Sequence, residues 1–288
     1  PEWGSEEALA QAPVMLTGHH YPLGCAQTPP PSIEALLSSA TRGLAARSLT
    51  TYLQVASINK VPLRIDETNT VSCGGVAGIS NTFASALWAT GYITQGMTAG
   101  TVGINLQGNP TNCAGYTPIC APDPTALAEG WFRTQPEWYA LLLTRSLVGY
   151  RPLPITLSNE GTEGSPDLVA AAFAGPKRSL KVVVSDNDPE DSPPLTLELE
   201  VGPKMATAHI LRLTAPSESA TSGVRLAGRA VAATGAWSAP KHTEAAIPHA
   251  GFVTVQLTPG SAALLGVSRE QPKRHRHKTK HKDKHKGK

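Results

Sequence analysis

The chain has 288 residues, of which 40% are hydrophobic, and its formal net charge is +3. This length suffices for one large or two medium domains, and the sequence contains no apolar run of 18 residues that would predict a membrane span. Residues 273–288 hold nine of the 25 Lys and Arg but one of the 22 Asp and Glu. The preceding residues therefore carry 16 basic and 21 acidic groups, a balance that argues against a specific nucleic-acid partner.

The first 150 residues alternate short apolar runs with amphipathic stretches. The apolar runs predict strands at residues 13–17, 61–65 and 100–106, and helical periodicity follows at residues 33–40, 42–57, 80–88 and 131–148. Strand, loop and helix in this order are typical of βα units with a parallel sheet. Three units are too few to close an eight-stranded barrel, and there is no initiator Met. We therefore expect a fragment that lacks its N-terminal part.

A different texture begins near Pro152, where helical periodicity stops. Short alternating runs at residues 180–184, 195–199, 208–213, 251–257 and 262–265 predict an antiparallel β-sandwich. The acidic segment at residues 186–191 lacks the Gly and the distant Glu of a calcium loop, so we interpret it as a turn. The sequence thus divides into residues 1–150, residues 151–270 and a Lys- and His-rich tail at residues 271–288.

The tail cannot bury an apolar core, because it consists almost entirely of cationic and polar residues. Such a composition predicts disorder. Its positive charge suggests contact with a polyanion or a cell wall, a contact that the acidic body of the chain would not share.

The four cysteines are Cys25, Cys73, Cys113 and Cys120, and four cysteines allow three pairings. Cys113 and Cys120 bracket a short loop that a local disulfide would close, which leaves Cys25 to pair with Cys73. An even number of loop cysteines favours an oxidising compartment and hence a secreted protein. Four free thiols are the alternative that the sequence leaves open.

Glu67 comes directly after the predicted strand at residues 61–65. Acidic groups at the carboxyl ends of parallel strands are catalytic candidates, because active sites lie on that face of α/β barrels. Gly74 and Gly75 follow, and consecutive glycines let the backbone approach a ligand and present N–H groups to an anion. The alternative for Glu67 is a solvated loop carboxylate. A second polar cluster, His19 and His20 with the adjacent Tyr, follows the first strand, where each His alone is also compatible with an ordinary loop position.

Three segments carry a resemblance to a known family. HHY at residues 19–21, RIDETNTVSCGG at residues 64–75 and GISNTFASALW at residues 78–88 resemble glycoside hydrolase family 79, whose members include β-glucuronidases and heparanase. The resemblance covers residues 14–150 in detail. It implies the C-terminal part of a (β/α)8 TIM barrel, about strands six to eight, followed by a β-sandwich domain.

The resemblance also implies a retaining glycosidase mechanism. Glu67 matches the nucleophile at the end of the seventh strand, and the acid/base Glu would follow the fourth strand, upstream of residue 1. In retaining enzymes the two carboxyl groups lie about 5 Å apart. Asp66 adjoins Glu67, but side chains alternate along a strand, so we expect Asp66 to point elsewhere.

The family's sugar-binding residues have counterparts here. His20 and Tyr21 match the polar cluster that lines the sugar site. Gly74 and Gly75 match the turn whose backbone N–H groups hold the carboxylate of the sugar, and Tyr116 matches a Tyr that contacts the same carboxylate.

The function that these features predict is that of a secreted β-glucuronidase-like hydrolase. It would cleave terminal glucuronate from glycans, with no cofactor and no metal. The 288-residue chain by itself is expected to be inactive, because the acid/base would lie outside it. The alternative is a non-catalytic carbohydrate-binding or surface-attached protein derived from the same fold.

Overall fold

The structure, a computed structural model, describes residues 14–158 and 166–269. The basic tail, for which disorder and polyanion contact are predicted, lies outside the described residues, as does the segment that precedes residue 14.

The first region, residues 14–150, contains a parallel sheet. Its strands are β1 (Leu16–His20), β2 (Leu63–Thr68) and β3 (Gly103–Leu106), in the order β1-β2-β3. A small antiparallel pair follows, formed by β4 (Ile119–Cys120) and β5 (Arg133–Thr134). The helices are α1 (Ile33–Leu37), α2 (Ser39–Ile58), α3 (Phe83–Ala99), α4 (Pro124–Ala128) and α5 (Pro136–Thr144). The three predicted strands are thus present.

Strands β1 and β2 both extend beyond their predicted ends. Parallel pairing continues through His19 opposite Glu67 and His20 opposite Thr68. The polar residues that the sequence placed in loops are therefore the last residues of strands. This matters for the site, because a strand fixes the direction of a side chain more closely than a loop does.

The helices begin at side-chain or backbone caps. The Ser32 hydroxyl accepts a hydrogen bond from the backbone N–H of Ala35 at 3.0 Å, and this cap starts α1. Ser38 ends α1 and caps α2 by accepting from the N–H of Thr41 at 3.2 Å. Such caps satisfy N–H groups that lack a partner within the helix. They also make the turn between α1 and α2 short.

Helix α3 begins at Phe83 rather than at the predicted Ser80, and its cap comes from the other half of the chain. The N–H groups of Phe83 and Ala84 donate to the backbone carbonyls of Ala220 and Glu218, at 2.8 and 2.9 Å. Unpartnered N–H groups at a helix start need acceptors. A loop of the second region supplies two of them.

The second region is built from antiparallel strands: β6 (Arg151–Leu153), β7 (Leu168–Ala174), β8 (Leu180–Asp186), β9 (Leu195–Glu200), β10 (Thr207–Thr214), β11 (Arg225–Leu226), β12 (Glu244–Ala246), β13 (Phe252–Leu257) and β14 (Ser261–Ser268). One sheet has the order β11-β10-β14-β8-β7-β6, with β12 also paired to β10, and β9 pairs with β13. All five strands predicted for this region are present. Strand β7, with the sequence LVAAAFA, was not predicted, because Ala has little preference for strands; it forms by pairing with β8 along its whole length.

The large sheet is covered on both faces. Val184 and Leu265 on one face pack against β9 and β13, and this forms the core of a sandwich. Phe173 and Leu264 on the other face join the apolar core of α3 and α5. The two regions therefore share an apolar core, in which side chains of the second region's sheet pack against helices of the first. The predicted division near residue 150 does not separate two independent cores.

The parallel sheet has three strands in the described residues and is not closed. Its membership of a larger barrel remains an expectation. None of the helices within residues 14–158 or 166–269 combines the length and the apolar character that crossing a bilayer requires.

Candidate active site

Glu67 lies at the carboxyl end of β2, where Tyr21 contacts it and Tyr116 contacts Tyr21. The Tyr21 hydroxyl donates a hydrogen bond to Oε1 of Glu67 at 2.8 Å, and the hydroxyls of Tyr21 and Tyr116 are 3.2 Å apart. The two tyrosine rings also stack, with centroids 5.9 Å apart. About a third of the Glu67 side chain is exposed (34%). One carboxylate oxygen is thus held in place while the other remains available to a ligand.

Tyr21 is well suited to act as a permanent donor. Burial raises the pKa of its hydroxyl well above the ordinary value, and the hydrogen bonds to Tyr116 and Glu67 raise it further. A phenol with a raised pKa keeps its proton at any physiological pH. The bond from Tyr21 therefore orients the Glu67 carboxylate and removes the freedom of one oxygen.

A β-bulge at this point changes the expected direction of Asp66. The register between β1 and β2 passes from Gly18 opposite Ile65 to His19 opposite Glu67, which leaves Asp66 without a partner. A bulge places two residues of one strand opposite one residue of the other. The expectation that Asp66 points away from the site is therefore wrong.

The imidazole of His19 lies beside both carboxylates. Its Nδ1 is 3.8 Å from Oε2 of Glu67, and its Nε2 is 3.5 Å from Oδ1 of Asp66. Its side chain is 58% exposed, so it faces the same open space as Glu67. The sequence pattern does not single out His19 as a site residue. Its pairing with Glu67 is the signal that identifies it, and this pairing is visible only once β1 extends to residue 20.

His20 faces the opposite side of β1. Its ring stacks on Tyr92 of α3 at 5.3 Å between centroids, and Tyr92 in turn stacks on Trp88 at 5.5 Å. Burial lowers the pKa of His20, which favours the neutral ring. The predicted sugar contact of His20 remains a prediction, whereas His19 is the histidine that lies next to Glu67.

The glycine turn supports the loop that carries Tyr116. Gly74 and Gly75 have φ values of +92° and +87°, a region that other residues rarely adopt. The Gly74 carbonyl accepts a hydrogen bond from the N–H of Tyr116 at 3.3 Å. A Cβ at position 75 would lie 2.5 Å from that nitrogen, and one on Gly115 would lie 2.1 Å from the Gly74 oxygen. Both close approaches require glycine. The predicted anion-binding role of the two N–H groups remains a prediction.

Two disulfides surround the site. Cys25 is bonded to Cys73 and Cys113 to Cys120, with Cα–Cα distances of 6.0 and 5.4 Å. These are the pairs that the loop spacing favours. The first joins the loop after β1 to the loop after β2, and the second closes the loop that contains Tyr116. Both therefore restrict segments that hold the tyrosines around Glu67.

The residues of the site suit acid–base and nucleophilic chemistry. In the described part of the chain, no group of three or more His, Cys, Asp or Glu is arranged to hold a metal ion. What the site offers is a carboxylate with one oriented oxygen, a neighbouring imidazole and two phenol donors.

No protein-family model and no curated protein match this chain. Solved structures do match it. A 4-O-α-L-rhamnosyl-β-D-glucuronidase from Fusarium oxysporum 12S is 21% identical with a TM-score of 0.70, over 86% of this chain and 52% of that one. The GH51 arabinofuranosidase from Xanthomonas axonopodis pv. citri is 15% identical with a TM-score of 0.63, over 88% and 53%. An α-L-arabinofuranosidase from Thermotoga maritima is 16% identical with a TM-score of 0.63, over 88% and 52%.

The chain thus spans about half the length of each of these structures. At such identities the likeness concerns the fold. The described chain shares its fold with about half of each of these glycoside hydrolases.

Proposed function

We propose that this chain is part of a retaining glycoside hydrolase of the β-glucuronidase type, with Glu67 as the nucleophile. The observation that carries the proposal is the hydrogen bond from Tyr21 to Glu67 at the end of a parallel strand, with the hydroxyl of Tyr116 bonded to that of Tyr21. The fold shared with glycoside hydrolases supports it. The resemblance to glycoside hydrolase family 79 supports the proposal as well, because that resemblance rests on the residues of this strand and of the loop after it rather than on the fold.

The proposed reaction begins with attack by the free oxygen of Glu67. Because Tyr21 donates to Oε1, we assign the attack to Oε2. A bond forms between Oε2 and the anomeric carbon, the bond from that carbon to the aglycone oxygen breaks, and the acid/base protonates the departing oxygen. Water then attacks the anomeric carbon, loses a proton to the same acid/base and releases Glu67.

The substrate would be a glycan with a terminal glucuronic acid. The name of the Fusarium structure describes an enzyme that acts on a glucuronide, and the match of Tyr116 and the glycine turn to family residues points to the same sugar. Phenol O–H and backbone N–H groups are donors that can hold a carboxylate without a cationic side chain. His20 and Tyr21 complete the predicted sugar-contacting set, and the described geometry adds His19.

The proposal places the acid/base outside this chain, on another strand of the barrel. We therefore expect the isolated 288-residue chain to be inactive, since a carboxylate nucleophile without its acid leaves the departing oxygen unprotonated. The two disulfides are typical of oxidising compartments and support a secreted enzyme.

The alternative is a carbohydrate-binding or surface-attached protein with the same fold and no turnover. It would keep the tyrosines and the glycine turn as a sugar site, without using Glu67 as a nucleophile. Binding of glucuronic acid that is unchanged in Glu67→Gln, with no hydrolysis by the complete gene product, would favour it.

The experiment uses the complete gene product that contains this chain. The unsubstituted protein and its Glu67→Gln variant are treated with a 2-deoxy-2-fluoro-glucuronosyl fluoride, whose fluoride leaves without a proton donor. We expect the reagent to label a peptide that contains Glu67 in the unsubstituted protein, and Glu67→Gln to form no glycosyl-enzyme, because an amide is a poor nucleophile.

Glu129→Gln is the matched control, because Glu129 is an exposed carboxylate at the end of α4. It should be labelled and turn over substrate like the unsubstituted protein. Asp66→Asn is unsuitable as a control, since Asp66 contacts His19. Label on a carboxylate other than Glu67, or near-normal turnover by Glu67→Gln, would refute the proposed nucleophile.

A further inference from the structure

A buried carboxyl group lies beneath the proposed site. Glu137, in the first turn of α5, is 1% exposed. Its Oε2 accepts a hydrogen bond from Nδ2 of Asn69 at 3.2 Å, and its Oε1 has no hydrogen-bond donor in the described part of the chain. A buried polar atom without a partner costs free energy. A well-packed apolar side chain would avoid that cost, so the carboxyl group requires another explanation.

Burial determines the charge of this group. It raises the pKa of Glu137 from 4.5 to about 8, and the hydrogen bond from Asn69 opposes the shift only in part. At neutral pH the group is therefore mostly the neutral acid. In that form its carbonyl oxygen still accepts the bond from Asn69.

Asn69 connects three elements at the end of β2. Its Nδ2 also donates to the backbone carbonyl of Gln107, just after β3, at 2.7 Å, and its Oδ1 accepts from the N–H of Thr70 at 2.7 Å. The Asn69 side chain is fully buried, and both its Nδ2 and its Oδ1 are hydrogen-bonded. Asn69 follows Glu67 by two residues, so a shift of Asn69 would move the end of β2.

The polar groups next to this connection are also fixed. The N–H of Gln107 donates to the Thr68 carbonyl at 2.8 Å. The Thr68 hydroxyl donates a hydrogen bond to the His20 carbonyl on the neighbouring strand β1. Glu137 is the point at which this network is attached to a helix, and helix α5 is itself packed into the apolar core.

We propose that Glu137 is a positioning residue for Glu67. Through Asn69 it holds the end of β2, and so the nucleophile, at a fixed distance from Tyr21 and the sugar. This inference rests on the proposed function. The role is not visible in the sequence, because Pro136 followed by Glu137 is the pattern of an ordinary helix start, in which the acid faces solvent and interacts with the helix dipole.

The test measures how fast Glu67 reacts, in the complete gene product, with the 2-fluoro-glucuronosyl fluoride. This rate depends on the placement of the nucleophile and not on a proton donor. Glu137→Met removes the acceptor but keeps a side chain of similar length, and we expect the labelling rate to fall roughly 10- to 100-fold, because misplacement of a reacting group by about 1 Å costs that much. Glu137→Gln keeps a carbonyl acceptor and should restore the rate to within about threefold of the unsubstituted protein.

Two further variants complete the test. Glu129→Met makes the same change at an exposed position and should leave the rate unchanged. Asn69→Ser removes the donor of the same hydrogen bond, together with the bonds of Asn69 to Gln107 and Thr70, and should lose at least as much rate. It serves as the test variant if Glu137→Met does not fold. Thermal unfolding of each variant separates a loss of placement from a loss of folded protein.

The outcomes distinguish this inference from the proposed function. Label absent from Glu67 in the unsubstituted protein would overturn the proposed function and this inference with it. Label on Glu67 that forms at the same rate in folded Glu137→Met or Asn69→Ser would overturn this inference alone. A rate lost in Glu137→Met and kept in Glu137→Gln is the result that the positioning role requires.

Discussion

Residues 14–150 and residues 151–269 differ in what they bury. Among the described residues, 13 of the 16 buried polar or charged side chains lie in the first region. Several of them follow Glu67 directly, and Glu137 lies beneath. The second region buries mainly Val, Leu and Ala between paired strands. Buried polar groups cost stability unless they are bonded, so the buried run of Thr68, Asn69 and Thr70 next to Glu67 indicates where the molecule requires fixed geometry rather than maximal stability.

The two regions are nevertheless coupled. Strand β14 lies inside the large sheet of the second region. Its Leu264 joins the apolar core that includes α3, and its Leu265 joins the core of the sandwich. The backbone carbonyls of Glu218 and Ala220 cap α3. The contrast in composition therefore does not make the regions independent.

The largest expected effect tests this coupling. Leu264→Ala and Leu265→Ala remove adjacent buried side chains that face opposite cores, and each should lower the unfolding free energy by about 2–5 kcal/mol. Because one face of this sheet is part of the core of the first region, both variants should unfold in one transition. Denaturant unfolding of both variants, followed by tryptophan fluorescence and by circular dichroism, measures this. The coupling would be contradicted if the two signals gave separate transitions and only Leu264→Ala shifted the transition seen in the fluorescence of Trp88 and Trp138.

The second effect concerns the disulfides of the first region. Replacing Cys25 and Cys73 by Ser opens a bridge with a sequence separation of 48, whereas Cys113 and Cys120 are separated by 7. Chain entropy then predicts losses of roughly 4 and roughly 2 kcal/mol respectively. Denaturant midpoints of the two double variants measure the order. A larger loss for the short loop would show that the bridges act on the folded site rather than on the unfolded chain.

The third effect is a pH dependence that compares buried acids of the two regions. Burial raises the pKa of Glu137 to about 8, of Asp186 to about 6 and of Glu218 to about 7. A carboxyl group with a raised folded pKa is protonated in the folded chain while the unfolded chain has lost its proton. Its stabilising contribution is therefore complete below the unfolded pKa and is lost as the pH rises through the folded pKa.

For Glu137 that window runs from its ordinary pKa of 4.5 to about 8. Within it, the unfolding free energy should fall by about 1.4 kcal/mol per pH unit because of this group. Glu137→Gln should remove that part of the slope. The remainder should come from Asp186 and Glu218, opposed by His20, whose lowered pKa makes stability rise with pH. Denaturant unfolding at a series of pH values measures both slopes. Equal slopes for the two proteins would mean that Glu137 is ionised in the folded state at neutral pH.

The smallest effect on stability is expected from the basic tail. Removal of residues 273–288 takes away nine Lys and Arg, and it should change the unfolding free energy by less than about 0.5 kcal/mol, as surface changes usually do. Retention on an anionic polymer should fall at low salt, because exposed charges act through a screened field. Equal retention of the two proteins at low salt would argue against a tethering role.

The sequence alone was sufficient for elements whose cause is local. Alternating apolar residues located the strands β8, β9, β10, β13 and β14 within a few residues, and the loop between Cys113 and Cys120 suggested its own disulfide. Glu67 could be selected as a candidate because an acid after a strand in a βα unit is a local pattern. Ala-rich β7 could not be predicted, since its strand conformation comes from pairing with β8.

Tertiary structure decided which side chains meet. A bulge opposite His19 turned Asp66 toward the imidazole, and strand alternation gave the place beside Glu67 to His19 rather than to His20. Glu137 occupies a helix start that looks ordinary in the sequence, and only the packing of α5 buries it against Asn69. Hydrophobic periodicity repeats within a few residues and is therefore visible in the chain, whereas the register of paired strands and the burial of single polar atoms depend on segments far apart in sequence.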